Sequence, residues 1–215
     1  VREEIDTESL GDRIVSRNIV QFMRQRNIQF TATRMKPNTQ VYGFFDRVDV
    51  NEFCIPKLLE ISMTSGTFQV GETVIGAMGS AALNAQNFNA STLPKINAVV
   101  AQVNHKYGPF DDPTDTYVAN PYDRENILPE TYSESATILN IDTNGLADES
   151  EANQGGYVAK DMILIGQTSG AQATVTDVRL MSDGLGTLIG SYRVPDTDNT
   201  ANPSFETGRN TLRLT

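Results

Sequence analysis

The acidic loops hold the residues whose types and spacing could bind a metal ion. Asp111, Asp112 and Asp115 surround a proline, and Asp142 and Asn144 stand two positions apart. Carboxylate and amide oxygens are the ligands that Ca²⁺ prefers. The spacing lacks the twelve-residue alternation with a terminal glutamate that an EF-hand needs. We therefore expect solvated turn residues and no resident cofactor here, with a calcium site as the weaker alternative.

Four tyrosines, Tyr107, Tyr117, Tyr122 and Tyr132, fall in the loop-rich stretch 104–155. A phenol joins a large apolar face to a polar tip, so exposed tyrosines suit the recognition of a protein partner or a sugar. Long polar stretches are uncommon in a compact monomer and are typical of lids or of segments that wrap a partner. These tyrosines are the candidates for a ligand or partner loop, with a surface glycan as one ligand class.

Residues for catalysis are scarce. The chain has one histidine, His105, and one cysteine, Cys54, so a zinc site built from several His or Cys ligands is excluded. No Gly-x-Ser-x-Gly elbow accompanies the histidine. A carboxylate pair for glycoside hydrolysis could be drawn from the acidic residues at 123–134, but any acidic loop permits that choice. We expect no enzymatic activity, and a carbohydrate hydrolase is the minor alternative.

The charge balance limits the classes of partner. The chain carries 17 basic and 27 acidic side chains, and this net charge of −10 repels phosphate backbones. Residues 1–60 hold 9 of each sign, so the whole acidic excess lies in 61–215. No stretch approaches the roughly 18 apolar residues of a membrane span, and one cysteine permits no internal disulfide. We expect no nucleic-acid partner, no membrane insertion and synthesis in a reducing cytoplasm.

A mainly β scaffold must position these residues. The many Thr, Asn and Gly residues favour strands and turns over helices. We predict an N-terminal helix or arm at 1–25, a β domain at 26–110, an acidic loop-rich linker at 111–155, and a second β-hairpin meander at 156–215. Both ends read as cut from a longer polypeptide.

Period-two alternation marks the strands of this scaffold. Apolar and polar residues alternate at 28–32, as a half-buried strand requires. The stretch 162–180 alternates up to a Gln-Thr-Ser-Gly turn and back, which predicts a hairpin with a positive φ at Gly170. A further strand at 187–194 would complete a three-stranded meander.

The turn at Pro37, Thr39 and Tyr42 resembles the tyrosine corner of fibronectin-type and immunoglobulin-like sandwiches. In that motif the phenol bonds back to the backbone upstream. One extra residue precedes Tyr42 here. We predict sandwich elements of this kind, with the three residues as a structural turn.

Several strings, taken together and in order along the chain, carry a resemblance to a known class of protein. They lie at 24–39, 42–46, 104–110, 113–117, 166–175, 186–191 and 205–215. In this order they resemble tail-associated structural proteins of large contractile-tailed bacteriophages, particularly those of marine cyanobacteria. A glycine usually follows Phe-Phe-Asp in those proteins, and Arg47 stands in its place here.

The resemblance implies a segment of a tail-fibre or baseplate-associated protein, which acts in virion assembly and host attachment. Such proteins are generally without enzymatic activity, and those that form fibres are usually homotrimeric. The expected partners are other virion tail subunits and further copies of the chain, and the expected location is the virion tail after synthesis in the host cytoplasm. A receptor- or glycan-binding module of the virion and a capsid decoration protein are the alternatives.

Overall fold

The computed structural model describes residues 21–79, 95–107, 115–148 and 154–215. Within them the fold is mainly β, as the sequence predicts, and every strand pair is antiparallel. The elements are β1 Arg26–Ala32, β2 Gln40–Val41, β3 Gly43–Phe45, β4 Val48–Asp49, a 3₁₀ turn Asn51–Phe53, β5 Cys54–Pro56, β6 Leu58–Ser65, β7 Thr73–Met78, β8 Lys95–Val99, β9 Ile138–Asn140, α1 Thr143–Ala147, β10 Gly155–Gly156, β11 Met162–Gly166, β12 Gln172–Asp177, β13 Leu180–Met181, β14 Leu188–Val194 and β15 Leu212–Leu214.

The middle of the chain forms a curled sheet that closes on itself. Its strand order is β10-β8-β7-β11-β12-β6-β9. Directly after β8 and β9 the two chains meet in a bridge between Val100 and Ile141. The amide of Ala101 donates to the carbonyl of Asn140 at 2.9 Å, and the amide of Asp142 donates to the carbonyl of Val99 at 2.9 Å. All the strands of this sheet except β10 therefore form one closed circuit, which we call the ring.

The ring is filled by its own apolar side chains. Leu59, Ile96 and Leu164 are all fully buried in one cluster. The filling is tight at Gly76, where an added Cβ would lie 2.6 Å from Leu164 Cδ2 and 2.8 Å from Ile96 Cγ2. Any side chain at this position would have to displace the ends of three core side chains, those of Leu164, Ile96 and Met162, so glycine lets β7 lie close to the interior.

The strands on either side of the ring in the sequence form a second body, which we call the outer unit. It contains three small sheets, with strand orders β1-β14-β5, β13-β2 and β15-β3-β4. Its core is aromatic: the Phe45 ring lies 5.0 Å from that of Tyr192 and 4.8 Å, edge to face, from that of Phe205. Because β1 pairs with β14 and β3 pairs with β15, the ring is an insertion within the outer unit.

Asn27 joins the two bodies. Its side chain is 5% exposed. Its amide nitrogen donates to the carbonyl of Gly156 at 2.8 Å and to Ser191 Oγ at 3.1 Å. Its carbonyl oxygen accepts from the amide of Gly156 at 3.0 Å and from the Arg193 guanidinium at 3.0 Å. A single buried amide thus ties β1 and β14 of the outer unit to β10 beside the ring.

The sequential segments predicted at 26–110, 111–155 and 156–215 differ from the way the strands pair. Strands from the first and last of these segments lie side by side in both bodies. The stretch predicted as an acidic linker supplies β9, which closes the ring, and α1. A division of the chain into consecutive segments does not describe this fold, because antiparallel pairing joins segments that are far apart along the chain.

Two local predictions are also wrong. The strand β14 at 188–194 does not extend the predicted meander, because it pairs with β1 and β5 instead of β12. The predicted N-terminal helix lies outside the described residues for 1–20. Its last part is not helical, since Gln21 and Met23 bond to the backbone of Thr207 and Phe205.

Candidate functional site

Three of the four tyrosines predicted to line a ligand loop are buried or half-buried in the folded protein. Tyr117 is 6% exposed and Tyr132 is 9% exposed. The Tyr132 hydroxyl donates to the carbonyl of Ala101 at 2.6 Å, and the half-buried Tyr122 donates to the carbonyl of Leu58 at 2.6 Å. These phenols therefore hold the loops onto the ring and offer no platform to a ligand.

Tyr107 differs from the other three, because 40% of it is exposed. Burial raises the pKa of Tyr117, Tyr122 and Tyr132 above the usual tyrosine value. Only Tyr107 of the predicted set can meet a partner in solution without rearrangement of the loop.

The acidic candidates for a metal site do not come together. Asp111 and Asp112 lie outside the described residues. Asp115 pairs with the Lys106 ammonium at 3.5 Å, and Asp142 accepts the amide of Asn144 at 3.0 Å as the N-cap of α1. Across the described part of the chain, no three His, Cys, Asp or Glu side chains are grouped as a metal would require.

The turn at 37–42 forms without a tyrosine corner. Tyr42 is 48% exposed, and its backbone amide and carbonyl bond to the backbone of Thr215 at 2.8 and 3.0 Å. The turn is held by Thr39, whose hydroxyl donates to the carbonyl of Pro37 at 3.1 Å, and by Ser182, whose hydroxyl accepts the amide of Thr39 at 3.0 Å. The prediction of the phenol bond was wrong, because Tyr42 is held through its backbone and its side chain is exposed at the surface.

Buried ionic groups fix the loops that the sequence left unassigned. Glu72 is 5% exposed and accepts from the amides of Gln69, Thr168 and Ser169 and from the Ser169 hydroxyl, at 2.7 to 3.1 Å. The Lys106 ammonium lies 2.8 Å from the buried Asp183 carboxylate and 5.5 Å from the centre of the Tyr117 ring. These groups act within the chain, and each is engaged by several partners.

Lys57 is a buried amine at the junction of the two bodies. It is 1% exposed, and its ammonium donates to the carbonyl of Ile141 at 3.0 Å. Burial lowers the pKa of Lys57 to about 8, and the negative charge of Asp142 acts in the opposite direction. By the same mechanism burial raises the pKa of Cys54 to about 12, with the charge of Asp49 adding to the effect.

The candidate functional site is an open groove on the outer face of the β15-β3-β4 sheet. Its volume is about 840 Å³, and its lining includes three arginines, Arg47, Arg209 and Arg213. Arg213 stands directly opposite Phe44 in the register of β15 and β3. None of the three guanidiniums lies within ion-pair distance of a carboxylate of the described residues. The groove therefore offers three guanidiniums without an ion-pair partner beside an aromatic ring, and the one side-chain carboxylate of its lining, that of Asp46, accepts the amide of Thr211.

Local geometry places Arg47 in this groove. Asp46 and Arg47 form the two-residue turn between β3 and β4, and both have positive φ, at 46° and 72°. The Asp46 carboxylate accepts the amide of Thr211 at 2.8 Å, which attaches the turn to the segment before β15. The alternation of Thr211 and Arg213 shows which residues share a face, but only the pairing of β15 with β3 brings them beside Arg47 and Phe44.

No protein-family model, curated protein or solved structure matches the chain. None of the helices in the part of the chain that the structure describes is long and apolar enough to cross a membrane. Within the described residues the fold is mainly β and includes a curled seven-stranded sheet.

Proposed function

We propose that the chain is a non-enzymatic structural component of a bacteriophage tail, a fibre or baseplate-attached protein that acts in virion assembly and host attachment. One observation carries the proposal. Two of the strings that resemble phage tail proteins contain the residues that connect the nested bodies, Asn27 and Ser191, and a third contains β15, which pairs with β3 inside the outer unit. The string at 24–39 contains β1 and Asn27, the string at 186–191 enters β14, and the string at 205–215 contains β15.

The loops support a mechanical role. Glu72 binds four donors of two separate turns, and Arg179 forms a two-pronged ion pair with Glu60 between β6 and the segment after β12. Glu72 and Ser169 are 97 positions apart in the sequence, and Arg179 and Glu60 are 119 positions apart. These contacts therefore connect distant parts of the chain. Cross-links of this kind resist deformation under load, which a tail component must withstand while it transmits force.

Two measurements test this proposal. Light scattering of the full chain should give a homo-oligomer, with a trimer expected for a fibre component, whereas a monomer would count heavily against a fibre. In cryo-EM maps of the intact virion, the chain should lie on the tail, in copies related by three-fold or six-fold symmetry. Copies that follow the icosahedral lattice of the capsid would instead make it a decoration protein and would refute the tail assignment.

A further inference from the structure

The arginine groove carries positive charge on a chain whose net charge is negative. The chain has a net charge of −10, yet Arg47, Arg209 and Arg213 line one groove and form no ion pair with a described carboxylate; the Asp46 carboxylate of the same lining accepts the amide of Thr211. Like charges repel, so a cluster of three guanidiniums costs free energy unless an anion neutralises it. A guanidinium binds a carboxylate through two parallel hydrogen bonds, which makes it well suited to this anion.

The backbone at Arg47 points to the same conclusion. A two-residue hairpin turn with positive φ at both central positions favours Asn-Gly or Asp-Gly. The chain keeps Asp46 but has arginine, with φ of 72°, at the position that favours glycine. A branched or long side chain in this conformation costs about 1 to 2 kcal/mol. Strain of this kind is concentrated at functional positions, and here it carries a positive charge into the groove.

Aromatic side chains lie on the same face as the arginines. Residues two apart in a strand share a face, so the exposed Tyr42 and the half-buried Phe44 both point outward. Arg213 is opposite Phe44, and Thr215 bonds to Tyr42 through both backbone groups. The stretch from Tyr42 to Phe45 is about 10 Å long at the rise of an antiparallel strand. Flat apolar rings beside arginines match a ligand that has both apolar ring faces and carboxylates.

We propose that this groove binds a linear acidic polysaccharide, with its carboxylates on the three guanidiniums and its sugar rings against Phe44 in the groove and against Tyr42, which lies beside the lining residue Thr215. The net charge of −10 repels every polyanion, and it disfavours duplex DNA most, because duplex DNA carries one negative charge per about 1.7 Å whereas an acidic polysaccharide carries at most about one per sugar. The assignment goes beyond the proposed structural role. It rests on the groove alone, so it would still hold if the chain were found away from the phage tail.

The test uses two forms of one polymer. Polygalacturonate carries a carboxylate on each sugar, and its fully methyl-esterified form keeps the sugars and loses the charges. Calorimetric titration of the full chain should show binding of the first and none of the second. Binding should weaken between about 0.01 and about 0.1 M salt, as the Debye length shortens from about 30 to about 10 Å.

Substitutions locate the site. R209Q and R213Q should each weaken binding about tenfold, as expected for the loss of a hydrogen bond to a charged group. R47G should do the same without loss of fold, because glycine relaxes the positive φ. R34G is the matched control: Arg34 is also exposed with positive φ, at 61°, but lies outside the groove lining. It should leave the affinity unchanged.

The outcomes that overturn the assignment are distinct. Absence of polygalacturonate binding, equal binding of the esterified polymer, or equal effects of R34G and R47G would each refute it. Tighter binding of single-stranded DNA than of polygalacturonate, lost in R213Q, would assign the groove to nucleic acid instead. Y42A separates sugar contact from charge, because it should weaken polygalacturonate binding without changing its salt dependence.

Discussion

Replacement of Lys57 by methionine should raise the stability of the protein at neutral pH. The lysine is 1% exposed, and burial lowers its pKa to about 8 from 10.5. Burying its charged form therefore costs about 3 kcal/mol relative to the unfolded chain. Methionine has a similar length and no charge, and it leaves the carbonyl of Ile141 without its donor, a loss of about 1 kcal/mol. The net gain at pH 7 should be about 2 kcal/mol.

The gain should disappear as the pH rises. Between the folded pKa near 8 and the unfolded value of 10.5, the unfolded state binds more protons at Lys57, so this residue makes the wild type more stable with increasing pH. From about pH 7 to about pH 9.5 the increment is about 2 kcal/mol. Cys54 acts in the opposite direction, because its pKa is raised and its unfolded thiol ionises first. Its effect is common to both proteins and cancels in their difference.

Urea unfolding of the wild type and of K57M across this pH range measures the effect, because the linear extrapolation gives the free energy of unfolding at each pH. The difference between the two proteins should fall from about 2 kcal/mol toward zero. Parallel profiles would refute the reasoning, since they would mean that the Lys57 ammonium is as well solvated in the folded chain as in the unfolded one. A variant less stable than wild type at every pH would show that the hydrogen bond to Ile141 outweighs the cost of burial.

Three further predictions concern stability and use the same unfolding assay. E72Q should lower the free energy of unfolding by about 2 to 3 kcal/mol, because the side-chain NH₂ of glutamine would face backbone N–H donors that the Glu72 carboxylate accepts. The control variant E130Q, at an exposed glutamate, should change the free energy of unfolding little. Y132F should lower the free energy of unfolding by about 1 to 2 kcal/mol, because the buried carbonyl of Ala101 loses its hydrogen-bond donor. An unchanged urea midpoint would contradict the role given to this phenol. R47G and R34G should each raise the free energy of unfolding by about 0.5 to 1 kcal/mol, because glycine adopts a positive φ without the steric cost that arginine has there.

Local patterns in the sequence predicted the local structure. Alternation at 28–32 predicted a strand, and β1 covers Arg26–Ala32. The hairpin at 162–180 is confirmed as β11 and β12, with φ of 69° at Gly170. These elements were predictable because side-chain alternation and a glycine turn are properties of a few adjacent residues.

The partners of these elements were not predictable from the same patterns. Asn27 meets Ser191 across 164 positions, and Lys106 meets Asp183 in the folded chain. The exposed tyrosine loop was expected because its flanking residues are polar, but the polar tips of the buried phenols bond to backbone carbonyls. The arginine groove escaped notice for the related reason that its residues come from opposite ends of the chain.

The insertion of the ring within the outer unit has a consequence for synthesis. A ribosome adds about 5 to 20 residues per second, so Asn27 waits about 8 to 33 s for its partner 164 positions later. All ring strands end at Asp177, and the ring can therefore close first. Throughout this interval β1 presents an unpaired edge and half-buried apolar residues to the surrounding solution. The nascent protein is thus a closed ring that carries β1 without its partner strand until β14 emerges.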